Sequence, residues 1–597
     1  MPNMDPQTAR QLMAAAGAYH PAVGTSSPAR WLAVVVGLLL LEFGFAAARL
    51  NAATAVPPAV VGPTQIGFNL IVLPDGAWEI YAVRADAGVK RLIRASSNDH
   101  GQTWTEPETL RELPIQGGVV ALLDRRGEVQ LFVQALRTEG NGKRIAVDRF
   151  IDIWQLRSSG GRNQWSEPQR IFEGYVGSVQ GALQLRSGRI VLPFAYWVAE
   201  RPQGPPTGAN VTTVVYSDDD GQTWRQSAAQ LTAPCEANYN GSNYGAIEPT
   251  VLQLKDGRVW MLMRSQTGFL YESYSDDGAE WSAARPSRFR SSTGPAFLLR
   301  LPEDRIALFW NHCELSTRVD GQGVYGGRDV LHAAISNDEG QSWRGFREVY
   351  RDPMRNETPP KTGDRGTAYP FAVSTEDGRI ALVSGQGGGR RGLVLVDAPW
   401  LLETRAADDF SSGLDGWCVF KGFGPASGWW RNRVPGARLM GHPTKPGAEV
   451  LHLRKPDEKA ADGAVWNFPS GSQGTLTLRL KLNAGFGGGG IALLDRFFDP
   501  TDDRVSSQAA FHLPINAQGR LGRNERLTFD QWHTLEFVWD VEAKQCRVRI
   551  DGEPAATLRL NAAKLGGVSY LHLRSQATEI DTAGFLVESV RVMIGEE

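Results

Sequence analysis

Ser97-Asn98-Asp99-His100-Gly101-Gln102-Thr103-Trp104 has the residues of a closed polar turn between two strands. The aspartate can accept N–H bonds from the turn, the glycine permits a positive φ, and the tryptophan can pack beneath. The same Ser-x-Asp-x-Gly-x-x-Trp pattern returns as Ser217, Asp219, Gly221 and Trp224, and again as Ser336, Asp338, Gly340 and Trp343. A copy one residue shorter runs from Ser275 through Asp276 and Gly278 to Trp281, and a worn copy keeps Ser158 and Trp165. With Gly160 in the worn slot, the turn positions are 99, 160, 219, 276 and 338, spaced by 61, 59, 57 and 62 residues. A period near sixty suits one four-stranded sheet with long loops per repeat. The job of the motif is local, so it speaks for fold and not for activity.

A second punctuation agrees with the first. Apolar runs break at tight polar turns: Pro74-Asp75-Gly76, Asp124-Arg125-Arg126-Gly127, Arg186-Ser187-Gly188, Lys255-Asp256-Gly257, Pro302-Glu303-Asp304 and Glu376-Asp377-Gly378. Asp-Gly between apolar runs signals a hairpin. Six such turns predict an all-β chain whose residues 60–402 form a six-bladed β-propeller. After Leu402 the period stops, and alternating segments follow: TLTLRLKLN, IALLDRFF, WHTLEFVWD, CRVRIDGEP and YLHLRS. They predict a β-sandwich (jelly roll) over residues 408–597. It resembles the concanavalin-like modules of the laminin-G and lectin type. Trp429, Trp430, Trp466, Phe497 and Phe498 are candidates for a sugar platform there, or for core.

The 597 residues exceed what one core serves, so at least two domains are expected. Sixty-six glycines and 18 tryptophans fit an all-β protein with many turns. A net charge of −2 gives no global basic field to recruit nucleic acid. The four cysteines Cys235, Cys313, Cys418 and Cys546 lack C-x-x-C spacing, so no zinc site is expected; disulfides and buried thiols both stay open. Neither a metal cluster nor a phosphate loop is evident, and no cofactor is implied. WLAVVVGLLLL, from Trp31 to Leu41 after Arg30, has the length of a signal-peptide apolar core. Residues 1–58 are therefore expected to be a signal or anchor segment. It would place the folded part outside the cytoplasm and be its sole membrane contact if uncleaved.

The residues that flank the six turns carry the chemistry. Glu248 precedes the fourth turn in Gly245-Ala246-Ile247-Glu248-Pro249-Thr250, and Arg264 follows it. Arg328 leads into the strand ending at the Asp338 turn, and Tyr369 precedes the sixth turn in Thr367-Ala368-Tyr369-Pro370. In type and order these residues, with the Asp-box turns, resemble the sialidase (neuraminidase) superfamily of BNR/Asp-box propellers, over roughly residues 65–400. The resemblance implies an exo-glycosidase that removes terminal sialic acid or a related acidic sugar. Tyr369 would be the nucleophile, Glu248 its base, and Arg264 and Arg328 the grip on the substrate carboxylate. Guanidinium groups bind carboxylates in bidentate fashion. A neutral tyrosine avoids the repulsion that a carboxylate nucleophile would meet, and such enzymes depart from the two-carboxylate pattern. Asn311 and His312 follow the fifth turn's second strand as possible channel-lining residues.

Two features depart from that family's pattern. Ile66-Gly67-Phe68 stands where the first carboxylate-binding arginine belongs, leaving Arg84 as a substitute in a different geometry. Gly117-Gly118 stands where an acid/base aspartate is sought, leaving Asp86 as a substitute. Two other readings follow: a polysaccharide lyase on uronate glycans using Tyr369 with His312 or His332, or a non-catalytic glycan-binding propeller. All three name a glycan or polysaccharide as the partner.

Overall fold

The computed structural model describes residues 55–61, 69–86, 89–199, 208–234, 245–314, 327–356, 366–386, 391–427, 430–522, 525–561 and 566–595. The apolar segment at Trp31–Leu41, Cys235 and the Ile66-Gly67-Phe68 stretch lie outside them. The described chain is all-β. It contains six successive antiparallel sheets, each built on four strands, and then two larger sheets.

Each of the six hairpin turns read from the sequence joins the first and second strands of one sheet. In the first sheet the strands are Asn69–Val72, Trp78–Asp86, Val89–Ser97 and Glu108–Glu112. In the fourth they are Ile247–Gln253, Val259–Arg264, Phe269–Ser275 and Arg285–Arg290. In the fifth they are Phe297–Arg300, Ile306–Trp310, Val330–Ser336 and Arg344–Arg351. The sixth has Phe371–Ser374, Ile380–Ser384 and Gly392–Val396, and its fourth strand comes from the start of the described chain: Ala59–Val60 pairs with Leu395 and Val394. This pairing ties the sixth sheet to the segment that leads into the first. The first strand of the sixth sheet also lies beside the first strands of sheets one and five.

The Asp-box turns link the third and fourth strands and do the clasp chemistry expected of them. In the first sheet Ser97 Oγ receives the Gly101 N–H at 2.9 Å, and Asp99 Oδ1 receives the Thr103 N–H at 2.8 Å. Trp104 Nε1 donates to the Gly101 carbonyl at 3.0 Å, and Trp343 does the same to Gly340 at 3.0 Å. Trp224 departs from this and donates to Gln155 Oε1 at 3.1 Å. These bonds hold Asp99 and Asp219 at a pKa of about 2, since turn amides and hydroxyls favour the ionised form. One residue is reassigned: in the shortened copy the clasp is Asp277, not Asp276. Asp277 Oδ1 receives the Ala279 and Glu280 N–H groups at 2.8 and 3.0 Å. The two-residue step from serine to aspartate is preserved, and the missing residue falls between aspartate and glycine.

The segment from Arg405 onward forms an eight-stranded and a six-stranded antiparallel sheet around one apolar core. Alternation decides which side chains enter it. On Val568–Ser575, Leu571 and Leu573 point into the core, while Tyr570 and His572 take the opposite face. Val56–Glu597 is one compact unit, and the outer face of the six-stranded sheet packs on the fifth of the six sheets. Cys313 and Val330 share a buried apolar cluster there with Cys418, Phe420, Phe497 and Tyr570. Cys313, Cys418 and Cys546 are buried free thiols. Three of the five aromatics offered as sugar platform or core are buried: Trp466 belongs to the core, and Phe497 and Phe498 to this interface. Large apolar side chains gain most by leaving water. The side chains of Trp429 and Trp430 lie outside the description.

Candidate active site

Glu248 is set by an irregularity in the fourth sheet. The pairing of its first two strands steps from Ile247↔Arg264 to Thr250↔Leu262, so Glu248 and Pro249 form a bulge. Bulges re-aim side chains and recur next to active sites. Glu248 sits at φ 51 and Tyr369 at φ 65, both in the left-handed region that non-glycine residues seldom occupy. Each is followed by a proline, which narrows the backbone choices further. Strain of this kind persists where the surroundings over-determine it and clusters at functional sites.

These two strained positions meet. The Tyr369 hydroxyl donates to Glu248 Oε1 at 3.2 Å, and Arg264 Nη1 donates to Glu248 Oε2 at 2.8 Å. One carboxylate thus bridges a phenol and a guanidinium. Arg264 is 1% exposed and Glu248 6%, while Tyr369 is half-buried. Arg328 completes the group, with its guanidinium 5.6 Å from the centre of the Tyr369 ring. It donates to Gln386 Oε1 at 2.9 Å and to the Thr293 carbonyl. Gln386 was not among the residues singled out by sequence. It follows the second strand of the sixth sheet, as Arg264 ends that of the fourth and Asn311 follows that of the fifth. A polar residue at the end of an apolar second strand was the available signal. Its neutral amide carries no chemical flag.

The other candidates are placed as follows. Asn311 is fully buried beside this group, its amide donating to the Val330 carbonyl at 2.8 Å and to Thr367 Oγ1 at 3.0 Å. Thr367 in turn donates its N–H to the Arg328 carbonyl at 2.7 Å. His312 does not line this group. Its ring nitrogens lie 3.1 Å from the Arg290 carbonyl and 3.1 Å from the Asp495 carbonyl, deep between the fifth sheet and the C-terminal sheets. Burial pushes its pKa down to about 4. His332 is locked there as well: Nδ1 accepts the His312 N–H at 3.1 Å, and Nε2 meets the Tyr570 hydroxyl. Arg84 lies exposed on the second strand of the first sheet, opposite Arg91. Asp86 ends the same strand, and its side chain lies outside the description. Among the described residues, no cluster of His, Cys, Asp and Glu is arranged to hold a metal ion.

Comparison with known proteins adds a sequence relationship. Residues 93–382 match the family described as BNR repeat-like domain. No curated protein matches the chain. Among solved structures, a Trypanosoma rangeli sialidase in complex with 2,3-difluorosialic acid, described as a covalent intermediate, is similar at 14% identity. That match covers 89% of this chain and 91% of that one, with a TM-score of 0.40. A Dyadobacter fermentans protein of unknown function is 19% identical over 57% of this chain and 97% of its own, with a TM-score of 0.42. A mutant of NanB sialidase from Streptococcus pneumoniae is 13% identical over 56% of this chain and 68% of its own, with a TM-score of 0.39.

Proposed function

We propose that this chain is a sialidase-like exo-glycosidase acting on terminal sialic acid or a related acidic sugar of a glycan. In this reading the six sheets are the blades of a β-propeller over residues 60–402, and a β-sandwich of the concanavalin-like kind follows over 408–597. The apolar segment at Trp31–Leu41 directs the folded part out of the cytoplasm. The observation that carries the activity is the Tyr369–Glu248 hydrogen bond, made by two residues in strained backbone and flanked by two buried arginines.

The chemistry follows from the atoms in reach. Arg264 and Arg328 hold the substrate carboxylate, which sits on the anomeric carbon. The Tyr369 hydroxyl passes its proton to Glu248 as its oxygen bonds to that carbon, and the glycosidic C–O bond breaks. The leaving oxygen needs a proton from an acid, for which Asp86 is the candidate in the chain. Water then attacks the anomeric carbon as it gives a proton back to Asp86, and the C–O bond to Tyr369 breaks, with Tyr369 regaining its proton from Glu248. The Arg264–Glu248 bond fixes one carboxylate oxygen and so leaves the other aimed at the Tyr369 hydroxyl. Incubation of the purified protein with a fluorogenic sialoside tests the proposal: release of the fluorophore is expected, and its loss in Tyr369→Phe.

The lyase reading loses its histidines, since His312 and His332 are spent on the interface with the C-terminal sheets. The non-catalytic reading is favoured by two features of the sequence, the Ile66-Gly67-Phe68 stretch in the place of the first arginine and Gly117-Gly118 in the place of the acid/base aspartate. It predicts binding of an acidic glycan without fluorophore release.

A further inference from the structure

The outer face of the six-stranded C-terminal sheet is used twice. The half that carries Phe420 and Tyr570 packs against the fifth sheet. The other half opens into a cavity of about 720 Å³, within the range of small-molecule sites, about 300–1,000 Å³. Its back wall is built by register. His512, Ala492 and His572 stand in one row across three adjacent strands, and Gly490 lies opposite Arg574 in the next. The small residues make the recess. A side chain at Gly490 would come within 2.5 Å of Gln576 Nε2 and 3.1 Å of His512 Nε2, so the glycine lets these two polar side chains lie close against the sheet.

The polar groups around the recess describe its occupant. Cationic and anionic side chains line it in equal number, four of each, so there is no net field for an ion. Several neutralise one another: Lys421 contacts Asp457, and Arg574 Nη1 lies 2.6 Å from Asp503 Oδ1. Burial keeps both imidazoles neutral near pH 7: His512 is shifted down and His572 is brought to about 4. The lining therefore offers fixed donors and acceptors side by side, including the Gln576 amide, with a balanced charge. A free anion would meet the carboxylates. Among the described residues, no His, Cys, Asp and Glu group is placed to take a metal. A polyhydroxylated ligand fits, because every hydroxyl both donates and accepts and carries no charge.

We propose that this cavity is a binding site for an uncharged saccharide, separate from the Glu248–Tyr369 group. It does not rest on the sialidase reading: an anchoring site for neutral sugars would serve a hydrolase and a glycan-binding protein alike.

The test uses the full chain and a panel of immobilised neutral oligosaccharides ending in galactose, glucose, mannose or N-acetylhexosamine, with sialylated forms alongside. Calorimetric titration of the neutral glycan retained best then follows. Wild type and Tyr369→Phe should bind it equally. Gln576→Ala, which truncates an exposed side chain, should weaken binding about tenfold, the scale of one good hydrogen bond. Gly490→Leu should abolish it by driving Gln576 and His512 out of their places, with near-ultraviolet circular dichroism reporting the fold. If Gly490→Leu misfolds, Gln576→Ala decides alone. Retention of no neutral glycan by wild type overturns the proposal. So does neutral-glycan binding that survives Gln576→Ala undiminished, or binding that is lost in Tyr369→Phe.

Discussion

Tyr369 and Glu248 stand 121 positions apart in the chain, and the phenol of one donates to the carboxylate of the other at 3.2 Å. That is within the reach proton transfer needs, about 2.6–3.2 Å between heavy atoms. Glu248→Gln keeps the shape and removes the base. With a fluorogenic sialoside, turnover should fall about 10²–10⁴-fold, the usual contribution of a positioned general base. Wild-type turnover in this variant would remove Glu248 from the reaction.

The Arg264–Glu248 ion pair is buried on both sides, at 1% and 7% side-chain exposure. Removing one partner strands the other charge out of water. Arg264→Met should therefore cost about 3–5 kcal/mol in urea unfolding. Arg264→Lys keeps the charge but loses the planar fork, so it should weaken binding of an acidic sugar. An unaltered unfolding midpoint in Arg264→Met would mean that the pair is solvated in solution.

The histidines between the fifth sheet and the C-terminal sheets make stability depend on pH. An unfolded histidine takes its proton near 6.5, whereas His312 in the fold resists down to about 4, chiefly because it is buried. Asp495 raises its pKa and Arg496 lowers it, both by less. Between those values the unfolded chain binds more protons, so stability is complete above about 6.5 and falls as pH drops toward 4. His332 is shifted the same way. Urea unfolding at about pH 7 and about pH 4.5 should show a loss roughly 2 kcal/mol larger in wild type than in His312→Asn. Equal losses would contradict the assignment.

The C-terminal segment has its own core but shares its outer face. Arg433 contacts Asp329, Arg496 Nε donates to Glu314 at 2.7 Å, and the Tyr570 hydroxyl donates to Glu348 at 2.7 Å. Residues 405–595 expressed alone should fold, giving a native near-ultraviolet circular dichroism spectrum. They should also bind a hydrophobic dye, because Phe420, Phe497 and Tyr570 lose their cover. A fragment without tertiary signal would show that the core needs the preceding sheets.

What could be read in advance was what local chemistry dictates. The Ser97, Asp99, Gly101 and Trp104 pattern specifies its own turn, and Asp-Gly between apolar runs specifies a hairpin, so the six sheets were legible. Arg264 stood out because a charge at the end of an apolar strand has few structural reasons to be there, and Glu248, Arg328 and Tyr369 stood out by their order around the six turns. Long-range packing leaves no such mark. His312 looked equivalent to Arg264, yet the Asp495 carbonyl, far along the chain, draws it into an interface. Phe497 and Phe498 stayed open between a sugar platform and core because a buried aromatic and an exposed one read alike in sequence. The cavity floored by Gly490 needs the register of three strands before it exists at all.

The most direct measurement is turnover of a fluorogenic sialoside by Tyr369→Phe, alongside calorimetric binding of free sialic acid to the same variant. The substitution removes one oxygen and leaves Arg264 and Arg328 in place. With Tyr369 as the nucleophile, fluorophore release is abolished while sialic acid still binds. Release at the wild-type rate would contradict that role.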